Sequence, residues 1–372
     1  MSIINPRFEK LQRDMGFNHV EAGLLQDVAL RQYFLPIDCV AYDWMHIYLV
    51  NGLYHHEATL LVSMLQKHCS GAKQKDLNDY FASFTWPKKL EAASATARDT
   101  FKKKAMESVK SSASEALSMF PVLRSFCSEL PTKNAMILPA LKSFYALCAV
   151  LELLKVVNEC NVTSDSLRNA IQAHLNLFQE CYGPDLLPKG HLSLHLPLQI
   201  TCHKRLLSCF VHERRHKEVK RYANMLTNHT ISDQTILQEV LLSHFVHLEE
   251  DLHLFGFNFV PPKPEVARFF MSHFGLDLKD VNSLLWSKQG PKGNHGDFVS
   301  IREPSCIAEL WGHFQFKENF VSLVSPLEKV GKNKFQKKGS LIFVESTGIM
   351  GSVIYRNEAE DVIYVVPEQF EL

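Results

Sequence analysis

No stretch of this 372-residue chain is both uncharged and as long as the roughly 20 residues a membrane-spanning helix needs. The longest apolar run, 144–154, is interrupted by Glu152 and has the length of a buried core helix. The opening MSIINPRFEKLQRDMG has no apolar segment of the kind that directs secretion. Neither a membrane partner nor export is expected. Nine cysteines contain no C-x-x-C pair, and an odd number cannot all pair within one chain, so no disulfide scaffold is implied. Reduced thiols in an intracellular compartment, nuclear or cytoplasmic, are the expectation. There is no net charge either, with 40 basic and 40 acidic residues, which argues against a protein that coats nucleic acid over its whole surface. No internal repeat marks a solenoid.

What is present is enough apolar residue, 46% against 22% charged, to build two or three cores rather than a disordered chain. Residues 1–35 read as short helices stopped by Pro36. IDCVAY, 37–42, is short and partly alternating, a buried strand leading into DWMH. From His46 to His68 the apolar spacing is helical, loosened at Gly52 and ended by Gly71. Residues 76–186 read almost wholly as helix, strongest over 114–126, 135–160 and 166–181, the last capped by Thr163-Ser164-Asp165. Asp99 to Lys104 reads as a solvated helix face. A proline-bounded stretch follows, LPKGHLSLHLPLQI, with His191 and His195 four apart, and 232–255 is one more helix. PPKP, 261–264, reads as a stiff linker and 290–294 as a hinge. From Asp297 the pattern turns to five or six short strands with Gly and Asn turns, a small β-barrel over 297–372.

The most basic stretch is LLSCFVHERRHKEVKRY, 206–222. Between Cys202 and Tyr222 seven Lys/Arg stand against two acids, Glu213 and Glu218. His212-Glu213-Arg214-Arg215-His216 is formally H-E-x-x-H, in which two histidines one turn apart hold Zn²⁺ and the glutamate activates water. Two arginines between the ligands would add like charge to the cation, and no third ligand stands out downstream. Glu213 can instead be a metal-binding carboxylate on a helix whose Arg214, Arg215, Lys217, Lys220 and Arg221 meet phosphates. The plainest alternative is a solvated amphipathic helix. Seven His and Cys residues from His191 to His216, Cys202 and Cys209 among them, are potential ligands, but their spacings match no common zinc module.

Two blocks, GLLQDVALRQYFLPIDCVAYDWMHIYLVNG and LPKGHLSLHLPLQI…SCFVHERRHKEVKRYAN, together resemble CACTA (En/Spm-like) and Plavaka-type transposases over about residues 20–225. The earlier block is similar to the family's apolar strand leading to D-x-M-H. The later block resembles its K-x-H-x-x-x-H-L-P segment followed by an aromatic, E-R and a Lys-bearing helix. The resemblance implies an RNase H-like core with an all-helical insertion, and Mg²⁺-dependent DNA strand cleavage and transfer. It places Asp43 and Glu213 as metal ligands and catalytic acids, with His46 orienting the site; Asp38 or Asp27 could replace Asp43. Three strands and a first acid that open such a core have no counterpart upstream of Asp43, so a truncated, inactive form, or one relying on other transposase chains, is expected.

The expected fold is therefore α+β and predominantly α. A partial RNase H-like core occupies 1–75, a helical insertion 76–186, the basic helix with its candidate third acid 187–260, a linker with short helices 261–296, and the barrel 297–372. DNA is the expected partner. A non-catalytic module binding nucleic acid or protein is the alternative, and a zinc peptidase through His212 and His216 the second.

Overall fold

The computed structural model describes all residues except 1–5, 16–26, 34–39, 88–89, 91–92, 97–108, 131–134, 159–161, 185, 226–231, 253–256, 258, 278–281, 291 and 368–372. The chain is mixed α and β, and divides into two compact units. Residues within 1–82 and 92–213 form the first; residues 83–91 and 214–367 form the second.

The first unit is helical: α1 (Pro6–Met15), α2 (Trp44–Tyr48), α3 (Leu53–His68), α4 (Gln74–Ala82), α5 (Ala113–Glu129), α6 (Leu138–Val156), α7 (Ser164–Tyr182), α8 (Pro188–Ser193), α9 (Leu196–His203) and the start of α10 (Phe210–Met225). Tyr54, Ala58, Leu61, Val62 and Leu65 recur at helical spacing and are fully buried, so α3 turns one stripe inward. α5 starts on a capping box, Ser112 with Glu115, and carries Phe120, Leu123 and Cys127 into the same core. α6 contributes Phe144, Leu147 and Leu151 and pairs with α7, whose N-cap Thr163 accepts from Ser166 N at 3.1 Å as the sequence implied. Inside this core lie Glu57 and His174, 2.7 Å apart and both buried, and the buried Arg124, paired with a partly buried Glu152.

Two expectations change here. The single helix over 46–68 is two, because Asn51 takes a left-handed φ of 45° and Gly52 opens α3. A Cβ on Gly52 would lie 2.3 Å from the Ile47 carbonyl oxygen, so only glycine fits. The strand expected over 37–42 falls partly outside the described residues, and 40–43 runs without strand pairing. At Tyr42 the reason is a contact from far along the chain: the Gln199 amide, turned so that its nitrogen faces the Tyr42 carbonyl at 3.0 Å, also accepts from the Tyr42 N–H, leaving that residue nothing for a ladder. No strand lies among the described residues of the helical unit, so an RNase H-like sheet is not part of what is seen.

The second unit takes in the rest of α10, α11 (Ser232–Leu252), α12 (Pro264–Phe274) and an antiparallel sheet. Strands β1 (Leu284–Ser287), β2 (Gln289–Gly290), β3 (Gly293–Asn294), β4 (Phe298–Ile301), β5 (Cys306–Phe316), β6 (Asn319–Gly331), β7 (Lys334–Lys337), β8 (Ile342–Glu345), β9 (Ile349–Ser352), β10 (Tyr355–Ala359) and β11 (Val362–Val365) follow one another. The main path is β10-β11-β7-β6-β5-β4-β9. β1 and β4 share one edge of the long β5, and β7 and β8 share the far edge of β6. The two ends of the path, β9 and β10, are separated only by Val353 and Ile354. The sheet therefore curls strongly and is only partly barrel-like. α12, begun by Pro264 and ended by Gly275 at φ 61°, packs Phe270 and Met271 on Leu284, Phe314 and Leu323.

The β-rich region begins before the boundary expected at 297. Residues 284–296, assigned from sequence to a linker, already contain three strands, and the supposed hinge is the β2–β3 ladder. Short Gly-rich ladders carry too few apolar alternations to be read from sequence. PPKP likewise follows a paired residue, Val260, which exchanges both backbone hydrogen bonds with Trp286.

Candidate metal centre

The geometry of the site begins with Asp43, whose extended backbone (φ −89°, ψ 109°) lets its side chain cap α2. Its Oδ1 accepts from Met45 N at 3.0 Å and also from Cys209 N at 3.1 Å, so one carboxylate oxygen joins segments 166 positions apart. Its Oδ2 meets His46 Nδ1. On the other side of the same ring, His46 Nε2 lies 3.7 Å from Glu213 Oε1. Glu213 stands in the first turn of α10, where its N–H donates to the Cys209 carbonyl at 2.8 Å.

Neighbours fix the two segments. Trp44 meets Phe210 edge-on at 5.6 Å. Asn158 clasps Leu206 through both backbone groups, at 2.9 and 3.0 Å. Lys189 Nζ donates to the carbonyls of His46, Val50 and Asn51 at 2.7, 2.6 and 3.2 Å, satisfying the carbonyl end of α2 with a cation. Burial lowers the Lys189 pKa from its usual value. Tyr42 stacks on His195 at 4.7 Å, and the Nε2 atoms of His195 and His191 are 3.3 Å apart. Burial first and His191 second lower the His195 pKa.

Asp43, His46 and Cys209 each present one donor atom, all within 4.8 Å of one another. Burial, with the hydrogen bond to Asp43 and the Asp43 and Glu213 charges, raises the Cys209 thiol above its ordinary pKa. Carboxylate, imidazole and thiol form a borderline donor set, suited to Zn²⁺ or a similar ion held by three protein ligands with a fourth position open. The set fits Mg²⁺ poorly, since that ion wants oxygen donors in a regular octahedron. A pair of Mg²⁺ ions clamped between Asp43 and Glu213 does not fit either, because an imidazole occupies the space between the two carboxylates.

Of the residues singled out in sequence, Asp43, His46 and Glu213 are brought together. His212 and His216 are exposed, and among the described residues they gather no third ligand. Lys217, Lys220 and Arg221 are exposed on α10, with Arg221 donating to the Tyr222 hydroxyl at 3.1 Å; the side chains of Arg214 and Arg215 lie outside the described residues, as do Asp38 and the 99–104 face. Asp27 instead caps a short turn, accepting from Ala29 N and Leu30 N. Sequence reasoning gave Cys209 no place in this site, although it sits one helical turn before Glu213, and gave Lys189 no role. Comparison of the chain with protein-family models, curated proteins and solved structures returned no match.

Proposed function

We propose that the chain is a transposon-derived, DNA-binding protein with a divalent-cation centre formed by Asp43, His46 and Cys209 and flanked by Glu213, where a DDE-type transposase would keep part of its acidic site. Convergence carries this reading: Asp43 and His46 of DWMH meet Glu213 of the basic helix, 170 positions on, across a single imidazole. The helices α3 to α7 fall between these motifs in sequence, as the insertion does in the transposases the chain resembles. Equating the region around Asp43 with part of an RNase H-like core belongs to the same proposal.

A bound cation would supply the positive charge that stabilises a phosphodiester undergoing cleavage. The chain's own residues divide the remaining work. Two backbone N–H groups hold Asp43 in place, Asp43 fixes which His46 nitrogen faces Glu213, and the exposed Lys217 and Lys220 on the helix that carries Glu213 offer cations to phosphates. A second reading, a non-catalytic DNA-binding module, draws on the engagement of His46 Nδ1 by Asp43 and on the exposure of His46 and Glu213, 47% and 41%, which leaves the group open to water.

Titrating duplex DNA with the full chain across a salt series tests the proposal. Affinity should fall steeply with salt, and the Lys217→Glu/Lys220→Glu double variant should weaken binding and reduce the slope of log K against log salt by about 2. Plasmid nicking in Mg²⁺, Mn²⁺ or Zn²⁺, abolished by Asp43→Asn and by Glu213→Gln while DNA binding persists, selects the catalytic form. Binding without nicking selects the module. Salt-independent binding, or none, removes DNA from the account.

A further inference from the structure

A cleft of about 540 Å³ in the sheet-bearing unit, within the size range of small-ligand sites, belongs to neither reading above. Its wall is aromatic: Phe270 and Phe274 from α12, Phe316 at the end of β5 and Phe320 at the start of β6. Phe270 is buried and forms the base, with Phe274 at 4.7 Å and 44° and Phe316 at 5.9 Å and 50°, so the rings are inclined to one another. Phe274 is 43% exposed and stands at the mouth. Two exposed carboxylates line the same cleft, Glu318 on the β5–β6 turn and Glu345 at the end of β8, whereas no Lys or Arg lines it among the described residues.

Phenyl faces carry negative quadrupole potential and attract cations, and the carboxylates add charge of the same sense. One cation already uses this wall: Lys317, beside the cleft, holds its Nζ 5.0 Å from the Phe316 ring centroid. Phenyl rings offer no strong hydrogen-bond acceptor, so a plain ammonium entering among them would surrender hydration that the two exposed carboxylates replace only in part. A methylated ammonium has little hydration to surrender and presents apolar methyls to the rings. The cleft is also far larger than one such group, leaving room for an alkyl stem and flanking residues. The geometry points to a binding site for the methylated lysine side chain of a partner polypeptide. It rests on the sheet-bearing unit alone and does not depend on the metal centre.

The test uses the full chain and a short fluorescent peptide with one Nε-trimethyllysine, followed by anisotropy. Saturable binding is expected, at least about tenfold tighter than for the unmodified lysine peptide and for the neutral analogue with C(CH₃)₃ in place of N⁺(CH₃)₃. Phe274→Ala and the double variant Glu318→Gln/Glu345→Gln should each weaken it about tenfold, while Glu328→Gln, an exposed sheet acid away from the cleft, should not. The two glutamates are exposed, so their variant keeps the test valid should Phe274→Ala unfold. Equal binding of the neutral analogue, no saturation by about millimolar peptide, or insensitivity to the glutamate variant would overturn the proposal. Stronger retention of the chain by phosphatidylcholine vesicles than by the peptide would overturn its commitment to a polypeptide.

Discussion

His55 shows how one buried residue can set the pH response of the helical core. Its Nε2 is bonded to Ser111 Oγ at 2.8 Å, its Nδ1 has no partner among the described residues, and burial, with Lys189 as a lesser repulsive cation, lowers its pKa from 6.5 to about 4. Unfolding releases the ring to its ordinary pKa, so between pH 4 and 6.5 the unfolded chain binds the extra proton. Stability from this group is therefore complete above about pH 6.5 and is lost as pH falls toward 4, by up to about 3 kcal/mol. Urea midpoints of the wild type and of His55→Gln, compared between pH 7.5 and 4.5, should converge as pH falls. Parallel curves would mean that His55 titrates normally. Asp43 acts at the same scale, because both of its roles, capping α2 and holding Cys209, depend on one side-chain oxygen.

Among the elements, the β2–β3 ladder carries a demand that sequence patterning could not announce. A Cβ on Gly290 would lie 2.3 Å from His313 Nε2, and that ring is held from both sides, by Ser322 Oγ at 2.7 Å and the Gly293 carbonyl at 3.2 Å. His313 is buried, so it cannot swing aside without leaving polar groups unpaired. Gly290→Ala should cost about 2 kcal/mol or more, read as a lower thermal midpoint, whereas Gly348→Ala, with open space around it, should be nearly neutral. This explains what was legible. Long helices with apolar spacing and side-chain caps, α5 and α7, could be read from the chain because their signals are local. So could β5 and β11. The strand expected over 37–42 was read from local alternation, but 40–43 run unpaired, and at Tyr42 a glutamine 157 residues away captures the backbone. Asp43, His46 and Glu213 were legible as candidates because their residue types stand in recognisable motifs, and the structure brings the three together. Cys209 entered through a backbone fold-back, and Lys189 through three carbonyls that no residue pattern encodes.

For the whole molecule, the order of residues and the order of packing disagree in one place among the described residues: 83–91 lies in sequence inside the helical unit yet belongs to the sheet-bearing one. Thr85 exchanges backbone hydrogen bonds with Tyr355 of β10, 2.7 Å one way and 3.3 Å the other. Phe84 meets Tyr364 of β11 edge-on at 6.2 Å, and the Arg356 guanidinium lies over both rings, at 5.3 and 4.7 Å. The segment thus covers an edge strand that would otherwise present unpaired N–H and C=O groups. A fragment of 214–367 alone should fold with an exposed β10 edge and self-associate. Adding a synthetic 83–91 peptide should bind that edge, raise the thermal midpoint and return the fragment to monomer. Two backbone bonds and one buried aromatic set the gain at about 2–4 kcal/mol, with Phe84→Ala in the peptide removing most of it. Sedimentation and thermal melting with and without peptide decide the matter: a fragment already monomeric and unmoved by the peptide would show that β10 needs no cover.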